Sequence, residues 1–129
     1  MQTILVVDDS QTMRRMVRAA LASLADVAFV EAGSGFQAIE VLAVQPVQML
    51  MLDLNMPDMH GLDVLKFLRS HEQYRSLPVM VLTTRGDETS RDAAFKAGAS
   101  AYMTKPFSPT ALAASVKELL AAAPRSHHA

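Results

Sequence analysis

Three short runs of this chain are apolar without interruption: ILVV at 4–7, MLML at 49–52 and VMVL at 79–82. A strand with one wet face alternates apolar and polar residues, whereas a strand covered on both faces reads as a continuous run. The three runs therefore predict inner strands of a parallel sheet held between two layers of helix. VAFVEA (27–32) and AYMT (101–104) are weaker strand candidates at the places where two further strands would fall.

The segments between the runs carry helical spacing. Over 11–24, Met13, Met16, Val17, Ala20, Leu21 and Leu24 fall on one helix face. Ser34 is a candidate cap for a helix over 35–43, with Pro46 beyond its end. Leu62, Leu65 and Leu68 mark a third helix starting near Gly61, and a fourth over about 88–97 stops on Gly98. Ser108-Pro109 opens a fifth, whose inward face carries Leu112, Val116, Leu119 and Leu120. The order βαβαβαβαβα implies an α/β fold with right-handed crossovers, a five-stranded parallel sheet wound on both faces. One domain is expected over 1–123. The tail 124–129 breaks at Pro124, is expected to fray, and ends in an RSHH stretch that reads as an added remnant.

Bulk properties narrow the function. The net charge of −1 offers no basic footprint for nucleic acid or an anionic membrane. No cysteine is present, which excludes disulfides and thiolate chemistry and suits a reducing compartment. Neither a signal-like N-terminus nor an apolar run of membrane-spanning length occurs, so a cytoplasmic location is expected.

In an open parallel sheet, ligands bind beyond the carboxyl ends of the strands. ILVV is followed there by Asp8 and Asp9, MLML by Asp53, VMVL by Thr83 and Thr84, and AYMT by Lys105 and Pro106. Carboxylates gathered so closely repel one another, and a hard divalent cation relieves that repulsion. Oxygen-only donors favour Mg²⁺. With the metal and Lys105 balancing three acids, a phosphoryl group could approach, and Asp53 is a competent nucleophile towards phosphorus. The metal and Lys105 would neutralise the phosphoryl oxygens, and Thr83 could donate its hydroxyl to one of them.

ILVVDDSQTMRRMVR (4–18), MLMLDLNMPDMHGLDVL (49–65), VMVLTTRGDE (79–88) and AGASAYMTKPF (97–107) together resemble the receiver domains of two-component response regulators, and most of all the single-domain, CheY-like chemotaxis type. The resemblance implies the flavodoxin-like strand order 2-1-3-4-5, the order known for that type. It also implies a role for each matching position. Asp53 accepts the phosphoryl group. Asp8, Asp9, Asp53 and the backbone carbonyl of Asn55 hold Mg²⁺. Lys105 and Thr83 contact the phosphoryl group, Thr83 and Tyr102 form the switch, and Asn55 and Arg85 tune the phosphoryl lifetime. The peptide before Pro106 is expected to be cis. Implied partners are a histidine kinase or phosphotransfer protein as donor, an output protein such as the flagellar motor switch, and a phosphatase. The readout face would be the fourth helix, fifth strand and fifth helix, with signalling by reversible protein contact and no output domain attached.

Taken singly, each of these residues has a plainer role. An Asp-Asp pair commonly caps a helix, Thr83-Thr84 could do the same, and Lys105 could be a surface lysine. Their coincidence at successive strand ends is what argues for a site. The methionines near the acceptor strand (Met49, Met51, Met56, Met59) read as core filling, and His60 and His71 lack metal-ligand spacing. Arg14, Arg15 and Arg18 form a basic patch that is either a solvated face or a docking surface for the donor. Three alternatives stay open: an aspartyl-phosphate phosphatase or phosphotransferase, a receiver cut from a longer regulator, and a scaffold receiver that binds partners without being phosphorylated. The first usually places a second acid two residues past the nucleophile, where this chain has Asn55.

Overall fold

In the computed structural model, which describes residues 1–84 and 88–122, the apolar runs become strands. The elements in chain order are β1 (Gln2–Val7), α1 (Gln11–Ala20), β2 (Val27–Ala32), α2 (Gly35–Val44), β3 (Met49–Leu52), α3 (Gly61–Ser70), β4 (Val79–Thr83), α4 (Glu88–Ala97), β5 (Ala101–Thr104) and α5 (Pro109–Ala122). A single 3₁₀ turn, Glu72–Tyr74, precedes β4. The strands form one parallel sheet in the order β2-β1-β3-β4-β5, the order the resemblance implied.

Side chains alternate across each strand, so each central run feeds two cores. Leu5, Val7, Leu50, Leu52, Val79 and Val81 meet Ala38, Leu42, Val64, Leu65, Leu68 and Ala94 on the side of α2, α3 and α4. Ile4, Val6, Met49, Met51, Met80 and Leu82 meet Val17, Leu21, Leu112, Val116 and Leu120 on the side of α1 and α5. Burying such side chains contributes about 1.5–3 kcal/mol each, and this explains the unbroken apolar runs. Met49, Met51 and Met56 are buried, in keeping with a packing role.

Two boundaries differ from the sequence-based expectation by more than one residue. The first strand starts at Gln2, because Gln2 and Thr3 pair with Val27 and Ala28 despite their polar side chains. Helix α1 ends at Ala20 rather than 24. The chain continues as turns, with Ala22 N–H donating to Ala19 O at 3.3 Å and Leu24 N–H to Leu21 O at 3.1 Å, which keep Leu21 on the core side. Capping follows the expected residues. Ser34 Oγ accepts from Gln37 N–H at 3.1 Å, Ser108 Oγ accepts from Ala111 N–H at 3.2 Å, and Gly98, past the end of α4, takes a φ of +112°.

Candidate functional site

The sheet's hydrogen bonding runs one step past the strands and takes hold of the residues that follow. Asp8 N–H donates to Ala32 O at 3.1 Å, Asp53 N–H to Val7 O at 3.0 Å, and Lys105 N–H to Thr83 O at 2.8 Å. Residues that would otherwise belong to loops are thereby fixed to the carboxyl edge of the sheet. The Lys105–Pro106 peptide is cis, as the resemblance implied.

Asp8, Asp9 and Asp53 each offer a carboxylate oxygen within 4.8 Å of the others. Lys105 Nζ lies 2.7 Å from Asp8 Oδ2 and 3.7 Å from Asp53 Oδ1. Asp8 is only 4 % exposed and Asp53 7 %, and with Thr83 they are the only buried polar or charged residues among those described. Burial of polar groups is thus concentrated at this one place, where a functional reason for its cost is to be sought.

Burial pushes the Asp53 carboxyl above the ordinary carboxylate range; Lys105 pulls it back, Asp8 raises it, the Asn55 backbone N–H lowers it and Asp9 raises it. Three carboxylates stand against one ammonium, so the formal charge of the cluster is negative. The donors are all oxygens and the excess charge is negative, which fits a hard cation such as Mg²⁺ and not a thiolate- or imidazole-seeking metal. Asp8 is further oriented by Ser10, whose N–H donates to Asp8 Oδ1 at 2.9 Å.

The loop between β3 and α3 is held at both ends. Gly61 N–H donates to Leu54 O at 2.8 Å, and a Cβ on Gly61 would stand 2.6 Å from Asp53 O and 2.7 Å from Leu54 Cα. Backbone atoms cannot step aside, so only glycine lets α3 start against Asp53. Asp58 accepts from Gly35 N–H at 3.2 Å and Phe36 N–H at 3.1 Å, tying the loop to the start of α2. Those N–H groups, Phe36 foremost, hold its carboxyl below the usual range.

Of the residues singled out from the sequence, Asp8, Asp9, Asp53 and Lys105 come together. Thr83 ends β4 fully buried, next to Lys105 across the ladder. Asn55 has an exposed side chain, and its backbone N–H reaches Asp53. Tyr102 stands apart on β5, half-buried, its ring 6.4 Å from that of Phe95 and 5.9 Å from the Arg91 guanidinium carbon. Arg85 lies outside the described residues. The basic patch on α1 is not a free one: Arg14 and Arg18 both pair with Glu31 at 2.7 Å, and Arg14 Nη1 donates to the backbone carbonyl of Asp8. Sequence reading missed the Arg14–Glu31 contact and the Asp58 tether. Glu31 offered a signal, as the one charge within VAFVEA.

Comparison with known proteins agrees with this geometry. The sequence model of the response regulator receiver domain matches residues 4–117. A chemotaxis protein CheY homolog from Campylobacter jejuni is 37 % identical over 118 residues, 91 % of each chain. The transcriptional regulatory protein SrrA of Staphylococcus aureus is 38 % identical over 117 residues, which are 91 % of this chain and 47 % of that longer one. Chemotaxis protein CheY4 of Vibrio cholerae has a crystal structure that superposes with a TM-score of 0.84 at 29 % identity, over 92 % of this chain and 98 % of that one. With five parallel strands in the receiver order and the acids gathered at their ends, the chain belongs to the receiver domains of two-component response regulators.

Proposed function

We propose that this receiver is a cytoplasmic chemotaxis switch that takes a phosphoryl group onto Asp53 in a Mg²⁺-dependent reaction. The observation that carries the reading is the cluster of three carboxylates within 4.8 Å, with the Lys105 ammonium against two of them. Asp8, Asp9, Asp53 and the Asn55 backbone carbonyl would hold the ion, and its charge would offset that of the phosphoryl oxygens.

The rest of the chemistry belongs to the side chains. An Asp53 carboxylate oxygen attacks the phosphorus of a phosphohistidine on the donor kinase or phosphotransfer protein. The O–P bond forms as the N–P bond breaks, and the bonding electrons leave with the imidazole. Lys105 and the Thr83 hydroxyl then hold phosphoryl oxygens. Attack by water on the phosphorus returns Asp53 and releases phosphate, so the chain acts only on itself. Asn55 and Arg85 would tune the lifetime of the phosphoryl group. Drawing Thr83 toward the phosphate frees space for Tyr102 to turn inward, changing the face of α4, β5 and α5 offered to an output protein such as the flagellar motor switch. A modification shifts such an equilibrium only through contacts that differ between the two states, and Thr83 supplies one. Removal of the phosphoryl group by a phosphatase would reset the switch.

A second reading, a receiver serving as one module of a longer regulator, is favoured by the alignment to part of SrrA; it leaves the chemistry at Asp53 unchanged. Intact-mass spectra after incubation with a small acyl-phosphate donor test the proposal. The expected result is one added phosphoryl group that requires Mg²⁺ and is lost in Asp53→Asn. Donor left unconsumed, with no adduct, would overturn it in favour of a scaffold that binds partners unphosphorylated.

A further inference from the structure

We propose that Arg14, braced by Glu31, is a positioning residue for the metal end of the site: it fixes the peptide between Asp8 and Asp9 and so aims the Asp9 carboxylate. The inference rests on the reading of these acids as Mg²⁺ ligands.

Three observations carry it. Arg14 is turned inward, its side chain only 15 % exposed, although it lies on the first turns of a surface helix. Its Nη1 donates to the Asp8 backbone carbonyl, while its Nε is held by Glu31 Oε1 at 2.7 Å. Glu31 itself is fixed on β2, where it pairs with Val6 across the ladder. The grip therefore starts on a strand and ends on the one peptide plane that links the two acids.

Geometry explains why that plane matters. A carbonyl and the N–H after it share one rigid plane, so a donor on Asp8 O also sets the backbone direction at Asp9. Asp8 has its own anchors in Ala32, Ser10 and Lys105. Asp9 is exposed, and its direction depends on the backbone that carries it. Groups that orient metal ligands without touching the metal commonly change affinity by roughly 10–100-fold when removed.

Charge and positioning predict opposite signs. Arg14 is a cation near a cation site, so by charge alone Arg14→Gln should tighten Mg²⁺ binding. Positioning predicts weaker binding. Arg18 provides a control: it pairs with the same Glu31, is 49 % exposed, and has its guanidinium carbon 5.5 Å from the Phe29 ring centroid.

The test is calorimetric titration of the full chain with Mg²⁺ alone, for wild type, Arg14→Gln, Arg14→Lys, Glu31→Gln and Arg18→Gln, with thermal unfolding to confirm that each is folded. The expected result is affinity weakened roughly tenfold in Arg14→Gln, less in Arg14→Lys and Glu31→Gln, and unchanged in Arg18→Gln. Phosphoryl uptake by Arg14→Gln should recover at saturating Mg²⁺, since the lysine and the nucleophile are untouched. Unchanged or tighter binding in Arg14→Gln overturns the inference, as does equal weakening in Arg18→Gln. Should Arg14→Gln fail to fold, Arg14→Lys, which keeps the charge and alters the grip, decides: weaker binding supports the inference and unchanged binding overturns it. If wild type itself binds no Mg²⁺, the metal reading fails and this inference goes with it.

Discussion

Strands β3 and β5 lie in one sheet and both lead into the site, yet they are built for different tasks. All four residues of β3 are buried, with β1 and β4 on either side, and Asp53 emerges from it held by a further ladder bond. β5 is an edge strand with no residue fully buried, and its Tyr102 has the Phe95 ring and the Arg91 cation of α4 for neighbours. A nucleophile has to be held to within a fraction of an ångström. A switch residue needs two positions that differ little in energy. On the proposed function, the centre of the sheet would supply the first and its edge the second.

The contrast is broken most severely by removing core volume. Leu52→Ala, beside Asp53, should cost about 3 kcal/mol in urea unfolding, whereas Met103→Ala on β5 should cost about half that or less. Equal losses would mean that edge and centre are equally rigid. Next in size is a gain at the centre: Asp53→Asn removes one of three crowded carboxylates, so the metal-free protein should gain on the order of 1 kcal/mol. Unfolding without Mg²⁺ checks this, and a loss of stability would show that Lys105 already balances the cluster.

Edge strand β2 provides a pH-dependent comparison. The side-chain hydrogen bond from Arg14, followed by that from Arg18, holds the Glu31 carboxyl below its ordinary value near 4.5. A lowered folded-state value means stability that is present above the unfolded value and lost as pH falls through the folded one. Glu31→Gln should therefore cost up to about 1 kcal/mol at pH 7, with the difference from wild type vanishing as the pH is taken down through 4.5 and below the folded-state value. A difference that stays constant over that range would refute the ion-pair account. The smallest effect is expected at β5, where Arg91→Ala removes a guanidinium 5.3 Å from the Phe95 ring centroid and 5.9 Å from that of Tyr102. It should cost about 0.5–1 kcal/mol. Fluorotyrosine NMR would register it at Tyr102 and leave Tyr74, the other of two tyrosines, unshifted.

The centre of the sheet was also the more legible part of the sequence. MLML followed by Asp53 can be read directly, because a strand covered on both faces must be apolar and any charge that ends it stands out. Edges are harder. Gln2 and Thr3 join β1 through backbone pairing that leaves no trace in their side chains, and past Leu21 the apolar spacing of α1 carries on with hydrogen bonds to the residue three back in place of four. Asp8, Asp9 and Lys105 were visible as strand-end residues, but the Arg14–Glu31 pair was not, since it joins a helix to a strand 17 positions away. Local pattern registers periodicity and caps; it does not register which charges meet.

The acceptor can be identified directly by loading the protein with phosphoryl groups in Mg²⁺, reducing the acyl phosphate with borohydride, and locating the altered residue by peptide mass. Reduction converts a phosphorylated aspartate to homoserine and leaves free carboxylates alone. The account predicts homoserine at position 53 and at no other aspartate. Homoserine at position 8 or 9, with Asp53 intact, would contradict it.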